Sequence, residues 1–300
     1  MNTSNFSQYQ VVRWCALLLA SVFLFSCATT QDQYPTPSSR VALVIGNADY
    51  PSPSVHSLNN PVRDARDMAQ VLTEKLGFDV IHVENADQQA MLTAFRDFGQ
   101  RLKAAPRGEE KVGLFYYSGH GAQYNGTSVL LSVDTKVTGE FAAGRDGIVP
   151  LTSLFKEINK VADTTANIFI IDACRDNPLI AKNDAGYGLT KSIKGLAWSE
   201  DEEDKAYQDI SDPNNSLIAY ATARGKVADD GYGGDNSPYT KYLLEHIAKP
   251  GLSANKLFQK VGKQVKQDTS SKQQPWQYGT LDKDFYFFGK NWNPKTKDIW

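Results

Sequence analysis

The chain has 300 residues, 41% of them hydrophobic and 11% aromatic, with a formal net charge of -2. A chain of this size buries a substantial core and accommodates one large α/β domain as readily as two smaller ones. Near-neutral charge without a long basic stretch supplies no electrostatic footprint for nucleic acid, which drops out as the default partner.

Residues 1–27 read as a targeting segment and stay outside fold reasoning. Arg13 is the only charge before the apolar run Trp14 to Phe25, which is short for a membrane span and fits a signal-peptide core. Leu24-Phe25-Ser26-Cys27 resembles the lipobox of bacterial lipoproteins, in which the Cys is lipidated and becomes the mature N-terminus. An ordinary secretory signal and an uncleaved anchor are the alternatives, because Phe25 is bulky for its position. The expectation is export as an envelope lipoprotein anchored through Cys27, or else secretion into the periplasm. Residues 28–39 are rich in Thr, Ser, Gln and Pro and read as a flexible tether, followed by a domain over 40–290 and a short tail over 291–300.

With the leader removed, Cys15 and Cys27 leave the domain, and Cys174 is its single thiol. A lone Cys in an exported domain is either a buried apolar filler or a reactive thiol. Four histidines, His56, His82, His120 and His246, offer no zinc spacing, so no metal site is expected.

Continuous apolar runs predict strands at Arg40 to Gly46, Phe78 to Glu84, Val112 to Ser118, Asn167 to Asp172 and Ser216 to Thr222. Helical spacing predicts a helix after Asn60 and Pro61 with Gly77 as its stop, a second after Asp87 and a third through Leu151, Leu154 and Ile158. A fourth, capped by Ser237-Pro238, runs to Pro250-Gly251, and Ser253 opens a fifth. This alternation predicts a mostly parallel sheet with helices on both faces. Asn125-Gly126 signals a hairpin extending from the sheet beside His120, and residues 175–215, with the acidic run Glu200 to Asp204, read as a surface loop. The run Asp229 to Asp235 lacks the Lys and the strand-to-helix setting of a phosphate loop and is expected to be a mobile loop beside the groove.

Functional groups gather at the carboxyl ends of strands in such sheets, and two strands end in Ser118-Gly-His120-Gly and Asp172-Ala-Cys174. A cysteine hydrolase needs a thiol near an imidazole that holds and then donates a proton, with backbone N–H groups facing the oxyanion. Cys174 and His120 supply the first pair, and the Gly121 and Cys174 amides the second.

The same residues carry a resemblance. YYSGHG and DACRD, whose His120 and Cys174 stand 54 positions apart, are similar to the His and Cys motifs of the caspase clan. ALVIGNADY, LNNPVRDA, LIAYATARG and NSPYT further resemble bacterial caspase-like proteins of the metacaspase and orthocaspase type, over roughly Arg40 to Phe288. The resemblance implies a three-layer αβα sandwich with a mostly parallel six-stranded sheet, and a His120–Cys174 dyad. It also implies a pocket lined by Asp64, Ser118 and Asp172, where Asp172 replaces the Gln of animal caspases. Two carboxylates there favour a cationic residue, hence cleavage after Arg or Lys, while Arg224 in the groove-like stretch argues the other way. Asp64 has an alternative reading as a first-turn carboxylate stabilised by the helix dipole, and Asp172 one as a structural hydrogen-bond acceptor.

The expected function is a cysteine endopeptidase acting on protein or peptide substrates. The alternative is a lipid-tethered caspase-like scaffold with little turnover. No cofactor is required by the sequence. Calcium dependence stays open, because Asp176 and Asp184 do not match the metacaspase calcium ligands position by position. Loop 175–215 corresponds to the caspase intersubunit linker, and its lysines, among them Lys182 and Lys205, are either cleavage points or solvated charges.

Overall fold

The computed structural model describes residues 40–53, 55–105, 111–124, 127–136, 146–161, 164–174, 214–223, 226–231 and 235–288. Its centre is a six-stranded sheet in the order β2 (Asp79–Glu84), β1 (Arg40–Gly46), β3 (Lys111–Ser118), β7 (Thr164–Asp172), β8 (Ser216–Tyr220) and β9 (Trp276–Thr280). The first five strands run parallel, and β9 closes the edge antiparallel to β8. This is the mostly parallel α/β sheet expected from the apolar runs, with β9 added.

The four central strands are buried on both faces because their side chains alternate and both sets are mostly apolar. Ala42, Val44, Leu114, Tyr116, Ile168 and Ile170 join one core with helices α1 (Pro61–Glu74), α4 (Pro238–His246) and α5 (Ala254–Asp268). Leu43, Ile45, Phe115, Tyr117, Phe169 and Ile171 form the other with α2 (Gln88–Ala104) and α3 (Leu151–Ile158). Three layers result.

Among the described helices, two are capped by the side chain at their start, and Asn60, Pro150 and Ser253 make no such bond. Asp87 accepts the Ala90 N–H at 2.7 Å, and Ser237 accepts the Thr240 N–H at 3.1 Å, both as side-chain caps. Asn60 stands at the N-cap of α1 with Pro61 after it, but makes no capping bond. Its side-chain amide instead donates to the Asp230 carbonyl at 2.5 Å.

The hairpin expected beside His120 is formed, and it belongs to a separate sheet. Strands β4 (Gly121–Tyr124), β5 (Thr127–Leu131) and β6 (Ile148–Pro150) pair antiparallel as three strands, with the Asn125-Gly126 turn outside the described residues. The change of sheet happens between Ser118 and Gly121. That places Gly119 and His120 at a junction.

Candidate active site

Ser118 and Asp172 are register partners on adjacent parallel strands, so His120 and Cys174 each lie two residues beyond a matched pair. The two exits touch. Gly119 N–H donates to the Asp172 carbonyl at 3.3 Å. A Cβ built on Gly121 would fall 2.7 Å from Ala173 Cβ and 3.2 Å from the Cys174 carbonyl oxygen, so only glycine permits this approach. The fold therefore brings the two motifs to one point of the sheet edge.

His120 is fully buried. Its Nε2 lies 2.7 Å from the His56 carbonyl oxygen. A carbonyl can only accept, so Nε2 carries the proton, and Nδ1 is the basic nitrogen of the neutral ring. The imidazole meets the rings of Tyr50 and His56, both edge-on, at centroid distances of 4.7 and 4.6 Å. Cys174 is 2% exposed, and its Sγ accepts the Ala228 N–H at 3.0 Å.

Asp64, Ser118 and Asp172 are all fully buried and join one hydrogen-bond network. Ser118 Oγ donates to Asp64 Oδ2 at 2.9 Å. Ser237 bridges the two carboxylates: its N–H donates to Asp64 Oδ1 at 3.0 Å and its hydroxyl to Asp172 Oδ2 at 2.5 Å. Thr240 Oγ1 adds a second bond to Asp172 Oδ2 at 2.8 Å. Asp64 is a first-turn residue of α1, as its alternative reading has it, and also a member of this network. Burial pushes the Tyr116 and Tyr239 phenols well above their ordinary range, and the neighbouring carboxylates push the same way, Asp64 and Asp172 for Tyr116 and Asp172 for Tyr239.

A third carboxylate, Asp230, is fully buried close by. Its Oδ2 accepts the Asn59 N–H at 2.7 Å, while Asp229 N–H donates to Gln273 Oε1 at 3.2 Å. Residues 229–231 are therefore anchored where a mobile loop was expected, because the buried Gln273 accepts from the Asp229 N–H while Asn59 and Asn60 donate to Asp230. Residues 232–234 lie outside the described residues. The sequence reading also assigned no role to Tyr50, His56 or Thr240 and took Ser237 only as a cap. NSPYT, already notable as a motif, carried the signal for the last two.

Cys27, Asp176, Asp184, Arg224 and the lysines of 175–213 lie outside the described residues. Among the described residues, no group of three or more His, Cys, Asp or Glu side chains could hold a metal ion, and no helix is long and apolar enough to cross a membrane.

A helix-covered, mostly parallel sheet with His and Cys motifs meeting at its carboxyl edge defines a caspase-like α/β sandwich. A family model described as Peptidase_C14, caspase domain, matches residues 39–286, and the chain belongs to that family. It is also similar to human mucosa-associated lymphoid tissue lymphoma translocation protein 1, with 28% identity over 146 residues. That match covers 49% of this chain and 16% of the human protein, so the chain spans a small part of that relative's length.

Proposed function

We propose that the protein is a cysteine endopeptidase using Cys174 as nucleophile and His120 as acid–base partner. The observation that carries the reading is the matched departure of the two motifs from register-paired strand ends, with His120 Nε2 tied to the His56 carbonyl. Cys174 Sγ attacks the scissile carbonyl carbon while its proton passes to His120 Nδ1. The tetrahedral oxyanion is received by the Gly121 and Cys174 N–H groups, donors typically worth several kcal/mol each. Gly121 suits this role because Leu131 N–H donates to the His120 carbonyl at 3.1 Å. That makes Gly121 and Leu130 a non-hydrogen-bonded pair, so the strand ladder does not use the Gly121 N–H. His120 then protonates the leaving amine, and water hydrolyses the thioester with the same imidazole as base.

Asp64, Asp172 and Ser118 form the proposed substrate pocket, and two linked carboxylates favour a cationic side chain, hence cleavage after Arg or Lys. Burial of Cys174 under Ala228 favours a second reading, a caspase-like scaffold with little turnover. The proposal also includes membrane attachment through a lipid on Cys27, which rests on Leu24 to Cys27 alone. Labelling with a fatty-acid analogue tests it, and an unlabelled wild type would leave an ordinary signal peptide.

The deciding experiment incubates purified protein without its leader with fluorogenic peptides bearing Arg, Lys or Asp before the scissile bond, with and without calcium, beside Cys174→Ala. Activity on Arg and Lys that vanishes in the variant is expected. A wild type as inert as Cys174→Ala on every peptide would remove the enzyme reading, and preference for Asp would overturn the pocket assignment.

A further inference from the structure

We infer that Tyr50 and Tyr117 are positioning residues for His120, gripping its backbone from both sides so that the imidazole is held in one orientation and one tautomer. His120 occupies the step between β3 and β4, where the chain passes from one sheet to the other. A fully buried backbone N–H at such a junction costs about 1–3 kcal/mol unless it finds an acceptor. The Tyr50 hydroxyl is that acceptor, at 3.0 Å from the His120 nitrogen. On the other side, the Tyr117 hydroxyl donates to the His120 carbonyl at 2.7 Å.

Both hydroxyls reach the Leu131 carbonyl as well, Tyr117 at 2.9 Å and Tyr50 at 3.4 Å, so they tie the junction to β5. Burial pushes both phenols far above their ordinary range, which keeps them protonated at any pH the protein works in.

Tyr50 is itself fixed. Its N–H donates to Ser57 Oγ at 3.2 Å, and Ser57 Oγ donates back to its carbonyl at 3.3 Å. Leu58 N–H closes the same loop on the Ala48 carbonyl at 2.9 Å. This loop also presents His56, whose carbonyl accepts the Nε2–H hydrogen bond and whose ring lies edge-on to the imidazole.

The first glycine of Ser-Gly-His-Gly then has a physical reason. A Cβ on Gly119 would sit 2.6 Å from Tyr117 Oη and 3.0 Å from Tyr50 Oη. Glycine at 119 makes room for the two hydroxyls, as glycine at 121 makes room for Ala173 and Cys174.

The kinetic part of this inference rests on the peptidase reading, and the structural part does not. The test uses Tyr50→Phe, Tyr117→Phe and the double variant, each keeping its ring. Side-chain nitrogen resonances of the four histidines are assigned by NMR, and kcat and KM are measured on the Arg peptide. We expect wild-type His120 to show a single tautomer protonated at Nε2, and the variants to show a mixture, with kcat down tenfold to a hundredfold at nearly unchanged KM. If His120 resonances and kcat are the same in all proteins, the clamp is wrong. An inert wild type whose His120 tautomer still shifts in the variants keeps the clamp and rejects the peptidase. If Tyr117→Phe does not fold, Tyr50→Phe carries the test, because its hydroxyl lies on the loop rather than in the central strand.

Discussion

Ala228 N–H donates to Cys174 Sγ at 3.0 Å, and the thiol lies in the same core cluster as Ala228. The backbone around Ala228 is held by three further bonds: Asp229 N–H to Gln273, Asn59 N–H to the Asp230 carboxylate, and Asn60 to the Asp230 carbonyl. Access to Cys174 should therefore require local opening of residues 226–231. Alkylation of the Cys174 peptide, followed by mass spectrometry, should be slow in the wild type. Asp230→Ala should accelerate it at least about tenfold, since the Asn59 N–H would lose a charged acceptor. Equal rates would mean that this segment does not control access.

Ser237 holds the Asp64 and Asp172 carboxylates together and caps α4. Ser237→Ala removes the hydroxyl bond to Asp172 and the cap on Thr240 but keeps the N–H bond to Asp64. The expected loss is about 1–3 kcal/mol in urea unfolding, the range for a buried hydrogen bond plus a cap. A loss below about 0.5 kcal/mol would show that Thr240 alone satisfies Asp172.

Two glycines should respond oppositely to a methyl group. Gly121→Ala drives a Cβ to 2.7 Å from Ala173 Cβ, which forces the His and Cys motifs apart. It should cost about 1–3 kcal/mol and abolish any peptidase activity. Gly262 lies within α5, and its added Cβ meets Pro275 at 3.7 Å, an ordinary contact. Gly262→Ala should raise stability by about 0.5–1 kcal/mol through helix propensity. Thermal unfolding of both variants checks the contrast, and a neutral Gly121→Ala would contradict the close approach.

His246 couples stability to pH. It is 1% exposed, and burial holds its pKa below the ordinary histidine value, with Lys249 and Lys260 adding to that and Gln264 and Glu245 opposing it. Lys249 Nζ donates to Nδ1 at 2.7 Å, and Nε2 donates to Gln264. Protonating Nδ1 breaks the Lys249 bond and places two cations side by side. A group whose folded pKa is depressed leaves the unfolded chain binding more protons, so its stabilisation is complete above about pH 6.5 and fades as pH falls below that. The stability difference between wild type and His246→Phe should shrink from pH 7.5 to 5.5. A constant difference would refute the linkage.

Legibility in the sequence tracked how local the physics was. Buried parallel strands announced themselves as apolar runs, and Asp87 and Ser237 as caps, because neighbouring residues decide those features. Strand β9 did not, since Trp276 and Tyr278 alternate with Gln277 and Gly279, and its place depends on stacking against Tyr220 of β8. Asn60 looked like a cap because nothing local reveals that Asp230, far along the chain, claims its side chain.

From the sequence alone came the parallel sheet with helices on both faces and the candidacy of His120, Cys174, Asp64, Ser118 and Asp172, since strand patterning and motif chemistry are written in short stretches. Tertiary structure decided which nitrogen of His120 is basic, that Ser237 joins the two carboxylates, that Ala228 covers the thiol, and that Tyr50 and Tyr117 grip the histidine. Each of these is a hydrogen bond made in a buried junction, where most of the partners lie on different elements and only the folded backbone sets their distances.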